Sequence, residues 1–280
     1  MGQVVSINDC RSYISSTSDE INNDGVDSSD DQAIALLEEA LIKCQRRTTF
    51  CNGYYPFRAT NSTIEINAQY ATWQRDVYMF LLLATRINMQ TYRILDGLDG
   101  TQLFERICNL VVKEYLGQHA KSYVFGTAVK GSFKDKVSQL AKDLHINGIF
   151  KSPLGSTHHQ KDGNLDIIAW VPFADQKDGQ LIAMGQCKTG DHWEDKLGEI
   201  SPETFFGSYL TTSPYVTPVR MFFVAESFGE DKWEERSRSG GILFDRTRIM
   251  EFLPGQIEQQ LYDDIRKWND AALESLKKSK

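Results

Sequence analysis

The chain has 280 residues, 41% hydrophobic and 25% charged, with five Trp, eleven Tyr and fifteen Phe. This composition excludes a disordered or low-complexity protein, and the length suffices for one large domain or two modest ones. The net charge of −7 is concentrated at the start, where residues 1–31 carry seven acids against one base and the rest carries 30 bases against 31 acids. A broad basic surface for nucleic acid is therefore absent, and any contact with phosphates must come from a local cluster or a partner.

In chain order, residues 1–30 read as a disordered acidic arm, rich in Ser, Asp and Asn. Asp30 or Asp31 then caps a helix to about Arg47, with Ile34, Leu37, Leu41 and Ile42 on one face. After a loop at 52–56, residues 68–89 read as a largely buried helix, so 31–95 form a helical N-terminal region. The longest apolar run, residues 77–84, has eight residues, against the roughly 18–20 a membrane helix needs, and no membrane association is expected. The turn-forming residues 96–100 mark a boundary, with Asp99 and Gln102 as a capping box for a helix over 101–116 that ends at Gly117. A second helix spans 133–144. Residues 164–171 and 180–188 then form a strand pair joined through Asp178-Gly179, followed by strands at 219–225 and 241–249. A closing helix covers 256–280. The pattern is α/β, a central mixed sheet flanked by helices, preceded by a helical extension.

The chemistry gathers on the strand pair. Side chains alternate along a strand, so Gln186 and Lys188 share a face and Cys187 points opposite, into the core. Across the hairpin, Asp166 can face the same side as Gln186. A carboxylate, a carboxamide oxygen and the Cys187 carbonyl are hard oxygen ligands suited to Mg²⁺ or Mn²⁺. A lysine beside such an ion can orient or deprotonate a hydrolytic water and neutralise a scissile phosphate.

The order Asp, hairpin, Gln-x-Lys resembles the PD-(D/E)xK, or restriction-endonuclease-like, superfamily, in the Gln-x-Lys variant of Mrr-type nucleases. Asp162-Gly163-Asn164-Leu165-Asp166 and Gly241-Ile242-Leu243-Phe244-Asp245 are similar to stretches of that family, and Phe104-Glu105 matches its helical glutamate. The likeness covers roughly residues 99–255, within a domain read as 96–255, and implies a restriction-endonuclease-like core. It also implies a metal-dependent endonuclease acting on DNA, with RNA as the other polymer the same chemistry accepts. Asp166, Gln186, Cys187 and Glu105 would hold the metal, and Lys188 would act on the water. Such domains serve in restriction or anti-phage defence, with a partner subunit or self-assembly supplying DNA engagement. Two departures stand out: Leu165 replaces the usual proline, and Gln186 replaces a carboxylate, which weakens divalent binding. Gln186→Glu is accordingly expected to keep or increase activity.

Three other readings stay open. Glu114 competes with Glu105 because it falls nearer the centre of its helix's apolar stripe, among Leu103, Ile107 and Leu110. His158, His159, His192 and Cys187 suggest zinc or a Cys–His nucleophile, but no ligand spacing supports either. The chain could also be a non-catalytic interaction subunit that keeps the nuclease fold. The five cysteines lack regular spacing and no charged-then-apolar leader opens the chain, so reduced thiols in the cytoplasm are expected.

Overall fold

A computed structural model of the chain describes residues 4–6, 26–60, 62–67, 72–128, 131–152, 163–190, 192–229 and 231–278. The chain divides into two compact units, Met1–Tyr78 and Met79–Lys280. In the first, helix α1 (Val26–Phe50) accompanies an antiparallel sheet of β1 (Val4–Ser6), β2 (Phe57–Ala59) and β3 (Thr63–Ile66), in the order β1-β3-β2. Two sequence expectations are corrected here. Residues 31–95 are not wholly helical, because Phe57-Arg58-Ala59 and Thr63-Ile64-Glu65-Ile66 alternate with the two-residue period of a strand. The arm 1–30 is not wholly unstructured either: Val4–Ser6 pairs with β3, and α1 begins at Val26. The remainder of the arm, 1–3 and 7–25, lies outside the described residues. Tyr55 anchors this unit, with its ring 5.2 Å from Tyr78 and 5.5 Å from Phe57, both edge-on.

Helix α2 (Trp73–Ala84) is shorter than the 68–89 expected from its apolar run; residues 68–71 lie outside the described set. The anticipated boundary at 96–100 is a hairpin, β4 (Ile94–Leu95) and β5 (Leu98–Asp99). Asp96 and Gly97 both adopt left-handed backbone, φ 49° and 78°, as a two-residue hairpin turn requires. Asp99 then caps helix α3 (Gly100–Leu116) by accepting from the Thr101 backbone N–H at 2.9 Å. Asp99 is the N-cap as expected, but the capping box with Gln102 is not formed: its partner is Thr101.

The second unit continues with β6 (Lys121–Val124), α4 (Phe125–Ala128), α5 (Phe133–Asp143), β7 (Ile167–Val171), β8 (Leu181–Lys188) and α6 (Pro202–Tyr209). It closes with β9 (Val219–Val224), α7 (Trp233–Gly240), β10 (Ile242–Phe244), α8 (Arg246–Glu251) and α9 (Gln259–Lys278). Five strands form one sheet in the order β10-β9-β8-β7-β6. Pairs β6/β7 and β7/β8 are antiparallel, while β8/β9 and β9/β10 are parallel. The fold is thus mixed α/β, a five-stranded mixed sheet flanked by helices. Residues 241–249 form a strand only as far as Phe244, since Asp245 accepts from Arg248 N–H at 3.0 Å and turns the chain into α8.

Alternation sorts the two faces of the sheet. Ile168, Trp170, Ile182 and Met184 pack with Val137 and Leu140 of α5 and with Phe205 and Phe206 of α6. Phe222 and Val224 lie beside Gln186 and Lys188 in the parallel ladder and continue that face, packing with Trp193 and Leu243. The opposite face is covered by α3, which buries Phe104, Ile107, Cys108, Val111 and Val112. Helix α9 docks on α3: the Trp268 ring lies so close to Gly100 that an added Cβ would sit 2.9 Å from it. Arg106 also pairs with Asp264 at 3.1 Å. No helix among the described residues is long and apolar enough to cross a membrane.

Candidate active site

Strand β7 is entered through Gly163 and Asn164, both left-handed at φ 59° and 61°. Gly163 is required twice over, because a Cβ there would also meet the Phe205 ring at 2.9 Å. The ladder is irregular at the next step. Ile167 is the partner of Gly185, yet the Gly185 carbonyl accepts from Asp166 N–H at 3.0 Å, so Asp166 and the first residue of β7 both address one residue of β8. Such a bulge re-aims the side chain that precedes the regular strand. The Asp166 carbonyl meanwhile accepts from Phe125 N–H at 2.8 Å. The Asp166 carboxylate turns to the neighbouring strand, where Oδ2 accepts from Cys187 N–H at 2.7 Å. Residues 21 apart in sequence are joined by this charge-assisted bond, which fixes the carboxylate on the central residue of Gln-x-Lys.

Gln186 and Lys188 share a face of β8, as alternation requires, and the same carboxylate meets both. The Gln186 side chain is fully buried and Nε2 donates to Glu199 Oε2 at 2.8 Å. Glu199 Oε2 also stands 4.0 Å from Lys188 Nζ, and its other oxygen is 2.9 Å from Lys196 Nζ. Burial alone would raise the Glu199 carboxyl. Hydrogen bonds from Lys196 and Gln186, with the charges of Lys188 and Lys196, outweigh it and hold the group below the ordinary carboxylate range. A carboxylate only accepts, so the Gln186 amide is oriented with nitrogen to Glu199 and oxygen away. That oxygen is buried and has no hydrogen-bond partner. Leaving it so costs about 1–3 kcal/mol, and a donor or a cation would relieve it.

Cys187 points to the α3 face. Its thiol is raised well above the usual range by burial, by its hydrogen bond with Cys108, and by the charges of Cys108, Asp166 and Glu105. Burial likewise raises Cys108. Both thiols stay protonated, so Cys187 is neither a thiolate nucleophile nor a thiolate ligand, and only its backbone carbonyl remains as a donor. Glu105 is half-buried on α3 and acts electrostatically on both thiols, whereas Glu114 is exposed. The buried stripe of α3 centres on Phe104, Cys108 and Val111, so Glu114, in line with Leu103, Ile107 and Leu110, falls at its edge in the last turn and is exposed.

The predicted residues therefore fall into two groups. Asp166 and Glu105 gather about Cys187, while Gln186 and Lys188 gather about Glu199. Glu199, eleven residues beyond Lys188, was not singled out by the sequence. The one available signal was indirect: a fully buried carboxamide needs an acceptor, but nothing local says which acid of the following loop supplies it. Among the described residues, no three or more His, Cys, Asp or Glu side chains gather in metal-binding geometry. Asp166, expected on the face of Gln186, instead gathers with Glu105 about Cys187, so the structure does not bring the expected ligand set together; what fits Mg²⁺ or Mn²⁺ is the kind of donor present, a carboxylate and an orphaned amide oxygen. His158 and His159 lie outside the described residues, and His192 is exposed. No protein-family model, curated protein or solved structure matches the chain.

Proposed function

We propose that this chain is a divalent-metal-dependent endonuclease that hydrolyses phosphodiester bonds of DNA, with a restriction-endonuclease-like core. The observation that carries the reading is the bond from Cys187 N–H to the Asp166 carboxylate, which ties the first motif residue to the middle of Gln-x-Lys. Element order supports it too. Glu105 sits on a helix that precedes a three-strand antiparallel meander bearing Asp166 and Gln186-x-Lys188, and a helical crossover then leads to a parallel strand.

Asp166 and Gln186, with the Cys187 carbonyl, would hold Mg²⁺ or Mn²⁺, and Glu105 would hold a second ion or a metal-bound water. When bound, such an ion polarises a scissile phosphate and lowers the pKa of its water. The chain's own residues do the rest. The Cys187 N–H fixes Asp166 in one orientation. Gln186 offers an uncharged oxygen, which leaves the site one negative charge poorer and its metal affinity lower. Lys188, as the ammonium that faces Glu199, would neutralise charge on the phosphate and orient the water. The near-neutral charge of residues 32–280 supports a partner subunit or self-association for DNA engagement. The biological setting we assign is a cytoplasmic restriction or anti-phage effector, with RNA tested alongside DNA.

Metal linkage tests the site without any substrate. Mn²⁺ at ten times its Kd stabilises a binding-competent fold by about 1.4 kcal/mol. Wild-type protein should show a saturable rise in Tm with Mn²⁺ and Asp166→Ala should not. A wild-type Tm indifferent to Mn²⁺ and Mg²⁺ would favour a non-catalytic scaffold.

A further inference from the structure

The Gln186 amide is buried, directed and half-satisfied, and a single side chain directs it. Nε2 reaches Glu199 Oε2 at 2.8 Å while the amide oxygen, also buried, meets no donor. We infer that Glu199 is a positioning residue that dictates a carboxamide, not a carboxylate, at position 186 and, by engaging its nitrogen, leaves its buried oxygen as the donor for the proposed ion. This rests on the nuclease reading above. A carboxylate at 186 would be a fully buried acid at hydrogen-bonding distance from the exposed Glu199 carboxylate, so it would ionise only against both burial and a like charge and would meet Glu199 best by sharing a proton. The expectation that Gln186→Glu keeps or improves activity is thereby reversed.

Glu199 has a second task. It stands 4.0 Å from Lys188 and is bonded at 2.9 Å to Lys196, so Lys188 can leave it for a phosphate while Lys196 still neutralises the carboxylate. Lys196 is half exposed and tolerates loss of its partner cheaply.

A swap tests the inference on the full chain, using wild type, Gln186→Glu, Glu199→Gln and the double variant. Each is measured for Tm without metal, for plasmid cleavage, and for the Mn²⁺ concentration that gives half-maximal cleavage. Gln186→Glu should lower the metal-free Tm and cut cleavage at least tenfold. Glu199→Gln should lose less, because a carboxamide oxygen there still accepts from Gln186. The double variant restores one amide donor facing one carboxylate, so it should recover Tm and cleavage beyond Gln186→Glu alone. It should also reach half-maximal cleavage at lower Mn²⁺ than wild type, a shift that a merely structural contact would not produce. Wild-type behaviour of Gln186→Glu, or a double variant as impaired as the two singles combined, would overturn the inference. If wild type neither cleaves nor responds to Mn²⁺, the nuclease reading falls. The metal-free Tm of the swap still decides the role of Glu199: recovery supports it and additivity overturns it.

Discussion

Lys188 and Cys187 are neighbours with opposite fates, and the difference is which way β8 turns each side chain. Lys188 keeps 30% of its side-chain surface in solvent and has a distant partner in Glu199. Lys188→Ala removes a weak ion pair and the contacts of a mostly covered aliphatic stem, so stability should change by only about 1 kcal/mol by chemical denaturation. Cleavage should be abolished in the same preparation. Cys187 is the control. The residue is half-buried and its protonated thiol is hydrogen-bonded to Cys108, so Cys187→Ala should cost about 1 kcal/mol of stability and leave most cleavage intact. A Cys187→Ala enzyme that folds but is dead would restore the nucleophile reading that the geometry disfavours.

At the scale of elements, much of the second unit was legible. Helix α3 announced itself through the Asp99 cap, its apolar spacing and Gly117, and β7 and β8 through short apolar runs between turns. The alternation that joins Gln186 to Lys188 was equally readable. What escaped is explained by weak or competing signals. Strand β6, Lys121-Ser122-Tyr123-Val124, is four residues of mixed polarity whose strand character comes from pairing with β7. Helix α6 has a start signal in Ser201-Pro202, but at eight residues its aromatic-rich sequence shows no clear period. Residues 246–249 read as continuing the strand because Ile249 is apolar, and the Asp245 cap decides otherwise.

Two elements make tests of their own. Helix α5 opens on a full capping box in which Ser132 and Asp135 exchange hydrogen bonds. Hydrogen bonding to Ser132 holds the Asp135 carboxyl below its ordinary range. A carboxyl with a depressed folded pKa stabilises fully above its unfolded pKa and loses that contribution as pH falls through the folded value. Ser132→Ala should therefore lower Tm at neutral pH, with the difference from wild type shrinking as the solution is acidified below the carboxylate range. Gly241, between α7 and β10, has φ 82°, and a Cβ there would stand 2.3 Å from the Arg220 carbonyl oxygen. Backbone cannot yield as a side-chain tip can, so Gly241→Ala should cost upwards of about 2 kcal/mol in denaturant titration. A near-neutral result would place the β9–β10 connection wrongly.

For the whole molecule, charge governs how the site meets a polymer. Outside the acidic first 31 residues the chain carries 30 bases and 31 acids. Few phosphates can then be neutralised at once, and isolated protein should bind duplex DNA no better than about 10⁻⁴–10⁻⁶ M, with a shallow salt slope. Fluorescence anisotropy across a salt series checks this, and nanomolar binding by the isolated chain would contradict the need for a partner.

Hydrolysis itself is the most direct test. Purified full-length protein should nick or linearise supercoiled plasmid in Mn²⁺ or Mg²⁺, stop when chelator is added, and lose activity in Lys188→Ala with the fold retained. Cleavage that survives chelation or the Lys188→Ala substitution would contradict a metal-dependent site built on Asp166, Gln186 and Lys188.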